Sequence, residues 1–189
     1  MSTSRAAGFT IIEVLVAVLV LAFGVMGSAA MQLAALRTWH QSSLLSNAVH
    51  LGSSMLDSMR ANARQMQSSD LDNPYLGLDY AAATPVIEAA PVPACFAATF
   101  DCGSAHMASF DIAQWKRQLR TSVPGGRFVI CRDDSAGSGA GGMAWYCSGN
   151  PAAPIVIKLG WTVKNPDGSV THEGAPETML VLTLTGAAT

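Results

Sequence analysis

Glu13 stands five places past Gly8, at the head of an apolar run with no charged residue from Val14 through Leu36. Those 23 positions, as a helix rising ~1.5 Å per residue, are enough to cross a hydrocarbon core of ~30 Å. An acidic residue at mid-bilayer costs roughly 2.5 to 3.5 kcal/mol, and less near a helix end. The carboxylate therefore calls for a compensating group. Four cysteines form the second chemical set: Cys95 and Cys102 with six residues between them, Cys131 and Cys147 with 15. In an exported domain an even count favours two disulfides, with three possible pairings. Cys95–Cys102 and Cys131–Cys147 are the expected pairs, because each closes a local loop around a turn-rich stretch. A zinc site is the rival, but the spacings fit no C-x₂-C pattern.

The remaining candidates dissolve under the same scrutiny. Asp70, Asp72, Asn73 and Asp79 hint at calcium, yet they lack the glycine and terminal glutamate of an EF-hand loop and read as a solvated loop. His40, His50, His106 and His172 are scattered, with no i,i+4 partner for a metal. Cys102, His106 and Asp111 suggest a nucleophilic triad, but a disulfide-bonded cysteine is no nucleophile. The glycine tract Gly137–Gly142 is not followed by Lys-Ser/Thr, so it reads as a flexible hairpin loop rather than a phosphate cradle. No catalytic residue, metal or cofactor is expected.

The residues ahead of Glu13 complete a pattern. A polar stretch with one basic residue, Arg5, ends at Gly8, and Phe9 and Thr10 open the apolar run. This resembles the type IV prepilin (class III) signal over about the first 35 residues. The leader departs from many relatives in having a single basic residue. The resemblance implies cleavage after Gly8 by a prepilin peptidase, N-methylation of Phe9, and pairing of Glu13 with the N-terminal amine of a neighbouring subunit. Two blander readings compete. An ordinary secretory signal has a shorter apolar core and an A-x-A-like site, which Ala29 and Ala30 match only loosely. An uncleaved signal anchor would carry Glu13 as a stray glutamate, set in the headgroup region without a partner.

The elements that must position these residues follow from periodicity. Past Arg37, apolar residues recur as Leu44, Ala48, Leu51, Met55 and Met59, joined by Leu45, Val49 and Leu56. These steps of three and four predict that one helix runs from about Phe9 to about Arg64, apolar all round and then amphipathic. Gly24 and Gly27 are soft points or small-residue packing sites within it. Residues 66–110 read as loop. A short helix follows, with Ile112, Trp115 and Leu119 on one face, Asp111 or Ser109 as N-cap, and Pro124-Gly125-Gly126 as its stop. Strands are expected over Phe128–Cys131, Met143–Cys147, Ile155–Val163 and Met179–Leu184, with a turn at Asn165-Pro166-Asp167-Gly168. In the third, alternation predicts a half-buried strand with Lys158 outward. A Cys131–Cys147 bridge would then staple two neighbouring strands.

The predicted fold is α+β: a long N-terminal helix packed on an antiparallel sheet of about four strands, as in type IV pilins. The expected divisions are a leader at 1–8, an apolar helix half at 9–36, an amphipathic half at 37–65 and a head at 66–189. The spacing Asp111, Trp115, Leu119 followed by Pro124, Gly125 and Gly126 further resembles PilV-type minor pilins, the type IV pilus modification proteins. Losing residues 1–8 would leave 181 residues and, without Arg5, move the formal charge from −2 to −3. No basic stripe exists for nucleic acid. The resemblance implies a minor pilin that crosses the inner membrane of a Gram-negative cell once, with its head in the periplasm, before it joins a surface pilus. Its partners would be the prepilin peptidase, the assembly machinery, the major pilin and other minor pilins. A type II secretion minor pseudopilin and an adhesin-like module at the pilus tip are the alternatives.

Overall fold

A computed structural model describes residues 8, 10–82, 95, 102–135, 144–163, 169 and 180–184. The chain divides into two compact units, Met1–Ser43 and Leu44–Thr189. Helix α1, Ile11–Ala61, belongs to both, and its buried residues begin only at Leu44. The buried stripe is narrower than the pattern predicted. Leu44, Ala48, Leu51, Met55 and Met59 are covered, while Leu45 and Val49 are 46% and 37% exposed. Each of those two lies about 100° round the helix from a buried predecessor, at the rim of the packed face.

α1 also stops earlier than expected. Asn62 leaves helical geometry, and a separate turn of helix, α2, covers Ala63–Met66. The Asn62 side chain explains the break: its Nδ2 donates to the Ser104 carbonyl at 2.8 Å and to the Tyr75 hydroxyl at 3.3 Å. A short strand, β1 (Leu78–Ala81), then forms where a loop was expected. Helix α3 spans Ser104–Ser122, starting before Ser109 and Asp111. Gly103 is its N-cap, without a side-chain hydrogen bond, so neither anticipated cap is used. Ile112, Trp115 and Leu119 are buried on one face as their spacing predicts, and the helix ends ahead of Pro124. Gly125 follows at φ +60, in the left-handed region that glycine tolerates best.

β2 (Arg127–Arg132), β3 (Ile155–Gly160) and β4 (Leu180–Thr183) complete a four-stranded antiparallel sheet in the order β1-β2-β3-β4. Register sorts its side chains into two faces. On one, Tyr80, Phe128, Leu159 and Leu180 line up across all four strands, and Leu78, Ile130, Ile157 and Leu182 form the next row. These rows join Leu51, Met55, Trp115 and Leu119 in a single core. Trp115 meets the Phe128 ring edge-on at 3.9 Å, and its Nε1 donates to the Leu51 carbonyl at 2.7 Å. Gly52 allows close approach here, since a Cβ on it would collide with Leu182 and Leu159.

The other face carries Asp79, Val129, Lys158 and Val181 in one row. Two corrections concern this side. No strand forms at 144–147, and β3 is buried at every position instead of on alternate ones. One cause underlies both. Residues 144–150 cross the far face as irregular chain and cover what a hairpin would have left open. The expected turn at 165–168 and the glycine tract Gly137–Gly142 lie outside the described residues. The α+β class, with a long N-terminal helix and a four-stranded antiparallel sheet, is that of the type IV pilin fold.

Candidate functional site

Residues 10–42 of the N-terminal unit are all exposed. Gly8 is exposed, and Phe9 lies outside the described residues. The Thr10 carbonyl accepts from the amides of Glu13 at 3.1 Å and Val14 at 3.3 Å, which closes the first helical turn. Glu13 thus occupies the first turn of α1 and is exposed. Unpaired backbone N–H groups there carry partial positive charge, which favours a carboxylate by about 0.3–1 kcal/mol. That is less than the cost of the same group inside a bilayer, so the turn compensates Glu13 only in part.

Behind it, α1 contains an 18-residue window of mean hydropathy 2.5 with none of its residues buried. Ile11 is 82% exposed and Phe23 68%. Gly24 and Gly27 face open space, with nothing within 4 Å of where a methyl side chain would stand. The hydroxyls in or beside the run turn back on the helix: Ser28 Oγ donates to the Val25 carbonyl at 2.9 Å, and Thr38 Oγ1 to that of Ala34 at 3.1 Å. Such back-bonding satisfies polar groups where no water is present. The arrangement suits an apolar surrounding of lipid tails or other helices.

In the second unit, both expected disulfides are present, Cys95–Cys102 and Cys131–Cys147, and no described cysteine is free. The latter ties β2 to the irregular segment 144–150, not to a neighbouring strand. The acidic quartet is dispersed. Asp70 makes a bidentate pair with Arg132 at 2.6 and 2.9 Å, and Asp79 does so with Arg127 at 3.0 and 2.7 Å. Asp72 accepts from Ser69 at 2.6 Å, while the Asn73 side chain accepts from the Tyr75 amide. No group of three metal-ligating side chains occurs among the described residues. His40, His50 and His106 are exposed on helices, and His172 lies outside the described residues.

Two buried polar clusters were not anticipated. Tyr75 is fully buried, and its hydroxyl donates to Asp111 at 2.7 Å. Burial foremost pushes the phenol well above its ordinary range, the Asn62 hydrogen bond opposes this, and the Asp111 carboxylate adds to it. The second cluster joins Lys158 to Asp133 at 2.5 Å, with both side chains almost wholly enclosed. Burial raises the Asp133 carboxyl, but hydrogen bonds from Lys158 and from the hydroxyl and amide of Ser135 outweigh it and hold the pKa at about 2. The one signal for this pair was a lysine in the middle of an otherwise apolar strand.

Comparison with known protein families finds a correspondence on the N-terminal unit. Residues 3–29 match the family described as the prokaryotic N-terminal methylation motif. No curated protein and no solved structure matches the chain. The matched stretch contains Gly8, Phe9, Glu13 and most of the uncovered apolar run. Together with the α+β architecture, it supports reading this chain as a type IV pilin-like subunit that carries a prepilin leader.

Proposed function

We propose that this chain is a minor pilin of a bacterial type IV pilus, with PilV-type minor pilins as its nearest kind. The observation that carries the reading is Glu13 in the first turn of an uncovered apolar helix, five places past Gly8 and inside the methylation motif. Prepilin peptidase adds water across the Gly8–Phe9 amide, releases residues 1–8 and leaves a Phe9 amine that then accepts a methyl group. The helix half at 9–36 is held in the inner membrane of a Gram-negative cell, with the head in the periplasm. Assembly moves that half from lipid into a bundle of like helices, so little apolar surface meets water. Within the bundle the Glu13 carboxylate pairs with the Phe9 ammonium of an adjacent subunit. The pair offsets the desolvation of both charges and fixes axial register.

Intact mass spectrometry tests the first step. The mature chain should lack residues 1–8 and carry one added methyl; retention of those residues in cells with active prepilin peptidase overturns the reading. Glu13→Val should be processed normally yet be depleted at least ten-fold from sheared filaments. Wild-type incorporation of that variant refutes the pairing. The motif itself serves pilus and pseudopilus subunits alike. Recovery of the protein only from the periplasmic side, and never from surface filaments, would assign it to a secretion pseudopilus instead.

A further inference from the structure

Lys158 stands mid-strand in β3 on the sheet face away from the helices, yet it is only 1% exposed. An ammonium has three N–H donors. Two carbonyls accept from it, Ala144 at 2.8 Å and Tyr146 at 2.5 Å, and the Asp133 carboxylate lies against it as an ion pair, with Oδ2 at 2.5 Å. Both carbonyls belong to segment 144–150, so the enclosure of this charge depends on that segment staying in place. Among the described residues the segment pairs with no strand, and much of it faces solvent: Tyr146 is 67% exposed, and Ser148, Gly149 and Asn150 are exposed.

Besides its two buried carbonyl bonds to Lys158, the segment is fastened non-covalently by ties nearer the surface. The Gly149 amide donates to the Arg132 carbonyl at 3.2 Å, and the Ser148 amide to Asp133 Oδ1 at 3.4 Å. Asn150 donates to Asp134 at 3.0 Å, and the Arg127 guanidinium lies 4.4 Å from the Trp145 ring centroid. Each such tie replaces a bond to water and holds weakly on balance. The covalent fastening is Cys147 to Cys131 on β2, and both cysteines are half-buried. The opposite face of the sheet owes nothing to the segment. Phe128, Ile130, Ile157 and Leu159 are held there against the helices.

We propose that Cys131–Cys147 is the latch of a redox-operated strap, residues 144–150, which cages Lys158 when oxidised and frees it when reduced. Closing takes two electrons and two protons from the Cys131 and Cys147 thiols and converts the disulfide of a thiol–disulfide oxidoreductase to its dithiol. Opening runs the same exchange backwards with a dithiol donor. With the latch open, water replaces the Ala144 and Tyr146 carbonyls around the ammonium, while the helix-facing core stays folded.

The test uses the full chain in detergent micelles, with Cys131→Ser/Cys147→Ser leaving Cys95–Cys102 intact. Acetylation by an N-hydroxysuccinimide ester is followed by peptide mass spectrometry, with Lys116 as internal standard, alongside amide hydrogen exchange. The expected result is Lys158 acetylation at least ten-fold faster relative to Lys116, with faster exchange in 144–150 and unchanged exchange in β2 and β3. Lys158 as inert as in the wild type would overturn the proposal, since the polar ties alone would then hold the strap. Loss of protection throughout β2 and β3 would overturn it too, because the disulfide would then brace the whole sheet. If the double variant does not fold, native reduction of a folded Cys95→Ser/Cys102→Ser chain by a water-soluble phosphine supplies the same two readouts.

Discussion

Asp133 shows how one side chain converts burial into pH sensitivity. Its carboxyl is held at about 2 against an ordinary value of 3.8, by Lys158 and Ser135 acting against the cost of burial. A depressed folded-state pKa contributes stability that is fully present above the unfolded value and is lost as pH falls through the folded one. The expected loss runs from about pH 4 down to about 2 and amounts to about 2 kcal/mol at its limit. Urea unfolding at pH 5 and pH 2.5 measures it, and Asp133→Asn should flatten this part of the profile. Ser148 and Asp134 also border the site, and Asp134, itself lowered by Asn150 and Ser148, adds a smaller loss over the same range. Trp115 acts through its indole N–H, which reaches the Leu51 carbonyl in the buried core. Trp115→Phe removes that bond and leaves a gap beside Phe128, with an expected loss of about 2 kcal/mol by denaturant titration.

At the scale of elements, legibility followed the period of the pattern. The α1 stripe, the buried face of α3 and the residues of β3 carry a repeat, β2 and β4 are unbroken apolar runs, and each formed close to where it was expected. β1 was missed because Leu78–Ala81 is four residues long and contains Asp79, too short for an alternation to show. Segment 144–147 was misjudged for the opposite reason. Its Ala-Trp-Tyr-Cys composition favours strand, but its carbonyls are turned toward Lys158 instead of a neighbouring ladder. The same contact explains why alternation failed in β3: a lysine reads as an outward residue unless something distant in sequence covers it. The stop after α3 makes a sharper demand. Gly125→Ala places a Cβ at φ +60 and against Thr162, and it should lose about 1–2 kcal/mol in thermal or urea unfolding.

For the whole molecule, the division at Ser43/Leu44 predicts two regimes of behaviour. Among the described residues the second unit holds all the buried core, so a fragment of Leu44–Thr189 should show one cooperative unfolding transition in plain buffer. A broad, non-cooperative melt of that fragment would refute the prediction. The N-terminal unit was the most legible part, since its leader, Glu13 and charge-free run lie consecutively, and residues 3–29 match a known motif. The head was less so, because its two polar clusters join residues far apart in sequence. One of those long-range joints has a mechanical consequence. Trp115 holds α1 at Leu51, and Asn62, just past its end, grips the first residue of α3 at Ser104. A tensile load travelling down α1 therefore enters the head partly along a second helix, at two anchorages that would be sheared together.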